Sequence, residues 1–287
     1  MRLTAITLPL LCWTAGALAQ RPTQFESRPA TAIENDKIEL LVLNRGGSFG
    51  SLLLKDDPGK MNPMWNPAML ARQANQPARS GDSLGHFVCV DGFGPTSKEE
   101  AAAGFLGHGE AHRQPWALLS AGKAGKVQRI KWGASLPVVQ ETFTRQLELV
   151  DGEQVVYVES ELESLTGFDR PVNWAEHGTI GFPFLRPEKT VVDRSVGRCQ
   201  TRPHNEARPR RLSSEKEFQY PLAPLIAGGL ANLRTVPAQP DSMDHIGCLF
   251  DPARRLAFVT AINLDKRLMI GYLLRREEYP WLQEWMN

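Results

Sequence analysis

The chain has 287 residues, 42% hydrophobic and 23% charged, with a formal net charge of +1. So even a balance provides no field to hold nucleic acid or an anionic membrane surface. No run after the first residues approaches the ~18 apolar positions that a spanning helix requires, so no membrane partner is expected of the mature chain.

Residues 1–19, MRLTAITLPLLCWTAGALA, carry one positive charge at Arg2, an apolar run, and small residues at Ala17 and Ala19. That is the pattern of a secretory signal peptide, and it predicts an exported protein, periplasmic or secreted. Leu11 before Cys12 does not suit a lipoprotein cleavage site. Residues 20–33, QRPTQFESRPATAI, are polar with two prolines and read as a flexible N-terminal tether. Folded structure is expected from residue 34 to residue 287 as one domain. Three cysteines remain after the leader, Cys89, Cys199 and Cys248, so at most one disulfide forms within the chain. Stability must come chiefly from a core.

The first expected elements are a strand over residues 37–43, a turn at Arg45-Gly46-Gly47 and a second strand over 49–55. Ser97 and Glu100 form a capping-box pattern ahead of a short helix. Asp151-Gly152 between TFTRQLELV and EQVVYVESELES predicts a hairpin with a two-residue type I′ turn. In its second strand Val156, Val158 and Leu162 alternate with Tyr157, Glu159, Glu161 and Glu163, one face buried and one wet. RLAFVTAIN and RLMIGYLLRR form a late alternating pair. Scattered prolines and glycines disfavour long helices. The pattern predicts an all-β chain, a large antiparallel β-sandwich. Between Arg194 and Arg211 lie six arginines and no lysine. They read as a solvated loop or, more sharply, as a guanidinium cluster for a phosphate or carboxylate.

Three groups of residues could carry chemistry. In GHGEAHRQPW, His108, Glu110 and His112 fall within five residues. Extended, they would point to one side as three nitrogen or oxygen ligands for a metal; the alternatives are an acid/base site and a plain polar turn. In NWAEHGTIGFPFL, His177 follows Glu176 and precedes an apolar stretch, which suits general acid/base work or a satisfied core histidine. Among the tryptophans, Trp116 and Trp174 lie beside these residues and offer flat faces for a sugar ring or for the core.

Four segments together resemble the aldose 1-epimerase, or galactose mutarotase-like, family. They are IELLVLNRGGSFGSLLLKDD with NPMWNP, GHGEAHRQPW, NWAEHGTIGFPFL and YPWLQEW, in order over residues 34–287. The resemblance implies a galactose mutarotase-like supersandwich with a sugar cleft, and cofactor-free interconversion of sugar anomers by acid/base ring opening. It implies His177 as the acid and His108 on the ring oxygen or nearby hydroxyls, with Glu110, His112, Trp116, Trp174 and Glu176 shaping a carbohydrate site. His112 and Glu110 stand where the phosphosugar branch has arginine and phenylalanine, which argues against simple transfer of phosphosugar specificity. The family's catalytic glutamate follows the Pro-Trp segment, a few residues before this chain stops at Asn287. The sequence is therefore read as truncated at its C-terminus, and no residue in it matches that base. Three readings follow: an exported isomerase of the aldose 1-epimerase type, a non-catalytic carbohydrate-binding β-sandwich, and a metal-dependent enzyme using the HGEAH cluster.

Overall fold

Residues 20–77, 83–204, 209–238 and 242–286 are described by a computed structural model. The signal-peptide expectation for residues 1–19 lies outside them. The chain divides between Thr179 and Ile180 into two compact units. Nearly all regular structure is antiparallel strand, so the all-β expectation holds.

In the first unit, β1 (Gln20–Phe25), β2 (Arg28–Glu34), β3 (Ile38–Leu43), β4 (Phe49–Leu54) and β5 (His86–Val90) join β10 (Trp174–Gly178) in a six-stranded sheet, order β1-β2-β3-β4-β5-β10. A four-stranded sheet contains β6 (Ala117–Ala124), β7 (Val127–Leu136), β8 (Glu141–Val150) and β9 (Val156–Ser164) in sequence order. Strand β8 shows the physical rule. Glu141, Phe143, Arg145, Leu147 and Leu149 are buried, and the residues between them are half-buried. The period of two turns one face inward.

The tether expectation for residues 20–33 is corrected. They form β1 and most of β2, paired from Gln20–Ile33 to Phe25–Arg28. Ala30, Ala32 and Ile33 are buried, and the turn is made by Glu26 and Ser27 at φ +50° and +63°. Two left-handed residues suit a tight hairpin, but neither is the glycine or asparagine that usually announces one. The Asp151-Gly152 turn also differs from expectation. Only Gly152 has positive φ, and pairing resumes at Leu149–Val156, so the two-residue type I′ geometry does not form. The short helix α1 (Pro67–Gln73) was not signalled, whereas α2 (Lys98–Ala102) has its capping box at Ser97 and Glu100.

In the second unit, β11 (Thr190–Arg194), β17 (Leu256–Asn263) and β18 (Leu268–Arg275) form one sheet, order β11-β17-β18. Another has the order β13-β12-β16-β19, from β12 (Val196–Thr201), β13 (Glu217–Gln219), β16 (Asp244–Phe250) and β19 (Trp281–Met286). A short ribbon joins β14 (Leu222–Pro224) to β15 (Leu230–Asn232). One face of the four-stranded sheet is core, built from Cys199, Phe218, Ile246, Cys248 and Met286 with Leu212 and Leu233. Cys199 and Cys248 are directly opposed on β12 and β16 and form the disulfide, while Cys89 is free and buried.

Candidate active site

Strands β5 and β10 are antiparallel neighbours, with Phe87 opposite His177 and Val88 opposite Glu176. Opposed residues share a face and successive ones alternate. Phe87, Cys89 and His177 therefore lie on one face, and His86, Val88, Trp174 and Glu176 on the other.

The first face gathers three histidines around Phe87. His177 stacks on it at 4.3 Å and 15°, His112 lies at 5.1 Å and His108 at 5.7 Å. The His108 and His177 rings meet edge to face at 5.1 Å and 90°. Phe93 stands 5.9 Å from His108 and 5.8 Å from His177. His108 and His177 are half-buried, whereas His112 is fully buried.

Backbone geometry delivers these rings. His108 and Gly109 both take left-handed conformations, at φ +63° and +72°. A Cβ on Gly109 would lie 2.0 Å from the Val90 carbonyl oxygen, so only glycine lets this turn press against β5. The RGG turn closes the other side. Gly46 N–H donates to the Gln114 carbonyl at 2.8 Å, and Trp116 N–H donates to that of Asn44 at 2.9 Å. A Cβ on Gly46 would meet the His112 carbonyl at 2.1 Å.

His108 Nδ1 accepts from Gly94 N–H at 3.3 Å and lies 3.6 Å from Cys89 Sγ. With an amide donating to Nδ1, the neutral ring carries its proton on Nε2, an assignment that rests on the donor arrangement. Burial, with Arg113 second, holds the His108 pKa below its ordinary value. His112 is pushed to about 4, by burial first and then by Arg113 and the two neighbouring histidines. Burial and then Glu176 push the Cys89 thiol up to about 12, so it stays protonated and unreactive.

The opposite face is a buried ionic cage. Arg145, 1% exposed, donates from Nη2 to Glu176 at 2.6 Å and from Nε to Ser160 at 2.9 Å. Its guanidinium lies 5.4–5.9 Å from the Phe143, Phe49 and Trp116 ring centres. Glu176 also bonds His86 Nε2 at 2.8 Å and accepts from the Trp174 indole at 3.2 Å. Burial alone would raise the Glu176 pKa, but Arg145, His86 and Trp174 outweigh it and hold it at about 2.

Of the residues expected to form a site, the structure thus brings together His108, His112 and His177. Trp174 and Glu176 belong to the cage. Trp116 is also turned inward, its indole donating to the Ala111 carbonyl at 3.0 Å. Glu110 is 3% exposed, accepts from the Val138 and Val139 amides at 2.8 and 3.3 Å and from Gln114 Nε2 at 2.7 Å, and so braces the β7–β8 turn. The extended arrangement of HGEAH does not occur, because two left-handed residues run into a 3₁₀ turn at Ala111–Arg113. Glu110 is thereby parted from the histidines, and among the described residues no group of three His, Cys, Asp or Glu is placed to hold a metal.

Phe87, Phe93, His86 and Arg145 were not anticipated. Arg145 had a legible signal, a charge at the inward phase of TFTRQLELV, between Phe143 and Leu147. Phe87 and His86 sit in a continuously buried strand where alternation has no contrast to reveal a face.

No protein-family model matches the sequence, and no curated protein matches it. Solved structures do match. The chain is similar to a galactose mutarotase-like protein from Clostridium acetobutylicum, with a TM-score of 0.64 and 14% identity over 93% of this chain and 84% of that one. It is also similar to a galactose mutarotase related enzyme from Lactobacillus acidophilus, with a TM-score of 0.57 and 13% identity over 89% of this chain and 80% of that one. At such identities the likeness is one of fold, and the fold is galactose mutarotase-like.

Proposed function

We propose that the protein is an exported carbohydrate-binding protein of the aldose 1-epimerase type, which interconverts sugar anomers by acid/base ring opening. The observation that carries this reading is the half-buried, edge-to-face pair of His108 and His177 on a mutarotase-like fold. His177 delivers a proton to the ring oxygen. His108, neutral with its proton on Nε2, donates a hydrogen bond to that oxygen or a neighbouring hydroxyl. A solvent water takes the proton of the anomeric hydroxyl as the ring opens. Closure from the other face returns the ring-oxygen proton to His177 and reprotonates the anomeric oxygen, giving the other anomer. Neither Glu110 nor Glu176 is assigned as the base, since protein partners occupy both carboxylates.

Polarimetry on freshly dissolved α-D-galactose and α-D-glucose tests the reading. Wild type should exceed the buffer rate, and His177→Ala should lower the catalysed rate by roughly 10²-fold or more. A His177→Ala rate equal to wild type removes His177 from the mechanism. The second reading, sugar binding without turnover, is favoured by the unassigned base. It predicts no rate above buffer, together with calorimetric sugar binding that weakens in His108→Ala.

Export rests on the leader pattern and is supported by the Cys199–Cys248 disulfide, since such bonds persist in oxidising compartments. Mass spectrometry of the exported fraction should find a mature chain beginning at Gln20; full-length protein retained in the cytoplasm would refute it.

A further inference from the structure

In the second unit, two arginines of the arginine-rich stretch, Arg198 and Arg202, line a furrow on one sheet face. Arg194 is buried against Glu284, and Arg211 pairs with Asp244. Arg198 and Arg202 differ. Arg198 makes no ion pair among the described residues, and Arg202 only donates to Gln283 Oε1 at 2.6 Å from an exposed position.

Register assembles the rest of this face. Gly247 lies between Gln200 on β12 and Gln283 on β19. A Cβ at Gly247 would meet nothing within 4 Å, so a furrow of about 330 Å³ runs over the bare backbone. That volume is at the lower end for ligand sites. Trp281 and Trp285, two positions either side of Gln283, share its face and are 64% and 52% exposed. The strands that carry the exposed indoles and the two arginines are two spacings apart, roughly 10 Å, and the Arg202 guanidinium reaches across to Gln283 on the tryptophan strand. Both pairs repeat four residues on, roughly 13 Å along the sheet. The carboxylates lining the furrow, Glu215 and Glu217, lie at or beside β13, beyond Arg198 and Arg202 from the tryptophans. Burial first, then Arg202 and Arg210, push the adjacent His245 to about 4, which agrees with a positive potential there.

We propose that this face binds an acidic oligosaccharide, with flat pyranose faces laid on Trp281 and Trp285 and carboxylates paired to Arg198 and Arg202. Indoles suit the C–H face of a sugar ring, and guanidinium forks suit carboxylates. Gln200 faces the furrow as a hydroxyl partner, while Gln283 Oε1 holds the Arg202 guanidinium in place. The inference uses second-unit residues alone and does not depend on the histidine reading.

Isothermal titration of the full mature protein with tetragalacturonate, neutral maltotetraose and an eight-residue oligothymidylate tests it. Tetragalacturonate should bind at least roughly tenfold more tightly than maltotetraose, and more weakly as salt rises. Arg198→Gln with Arg202→Gln should remove that preference. Trp281→Ala should weaken both sugars roughly tenfold. Gly247→Val, which fills the furrow at a position without positive φ, should do the same, and unchanged circular dichroism and Tm establish that each variant is folded. Three results would overturn the proposal: no tetragalacturonate binding at millimolar concentration, unchanged affinity in the double arginine variant, or tighter binding of the oligothymidylate.

Discussion

Gly109 shows how one missing Cβ places a ring. Its φ of +72° and its approach to Val90 let the chain turn sharply enough to aim His108 at His177. Gly109→Ala should destabilise the first unit by about 2–4 kcal/mol through left-handed strain and a backbone clash. Urea denaturation measures this, and a loss below ~0.5 kcal/mol would mean the turn relaxes freely. His108 and His177 were legible as histidines beside apolar sequence. Glu110 read equally well as a ligand, yet it serves the β7–β8 turn, because the partners of a carboxylate are set by amides 28 and 29 residues away.

Elements were legible where alternation or turn residues marked them. β3, β4, β8, β17 and β18 follow the expected boundaries closely: β8 alternates strictly, whereas β3 and β4 are largely apolar runs delimited by the Arg45-Gly46-Gly47 turn. The β1–β2 hairpin escaped notice because its turn residues are Glu26 and Ser27 and its buried side chains are mostly alanines. Between the sheets of the first unit, the Arg145–Glu176 pair ties β8 to β10, the strand that carries His177. Arg145→Met should cost about 3–5 kcal/mol, since it leaves the Glu176 carboxylate buried without its main counter-ion. Adding Glu176→Gln should recover part of that loss. If the double variant is no more stable than Arg145→Met, the pair is not coupled as its geometry implies.

At the scale of the whole molecule, two features set stability against conditions. The Cys199–Cys248 bond spans 49 residues of sequence. Chain-entropy reasoning gives it about 4 kcal/mol, so Cys199→Ser with Cys248→Ser should lower Tm markedly, and reductant should do the same to wild type alone. An unchanged Tm in both would show that the bond is absent in solution. Acid is the second lever. Folded His112 and His245 take up protons only near pH 4, whereas unfolded histidine does so near 6.5. The unfolded chain binds more protons between those values, so stability is complete above pH 6.5 and declines toward pH 4, by up to ~3 kcal/mol for the buried His112 and by less for the half-buried, solvent-screened His245. Urea midpoints across that range check the sign, and His112→Gln should flatten the slope. The all-β class and the strand pairs flanking clear turns were determined by sequence alone, because local alternation and turn chemistry are properties of short stretches. Which face each histidine, glutamate and tryptophan joined, and which two cysteines met, was decided only by tertiary structure. Those outcomes depend on strand register and on backbone groups far along the chain, and no local pattern encodes either.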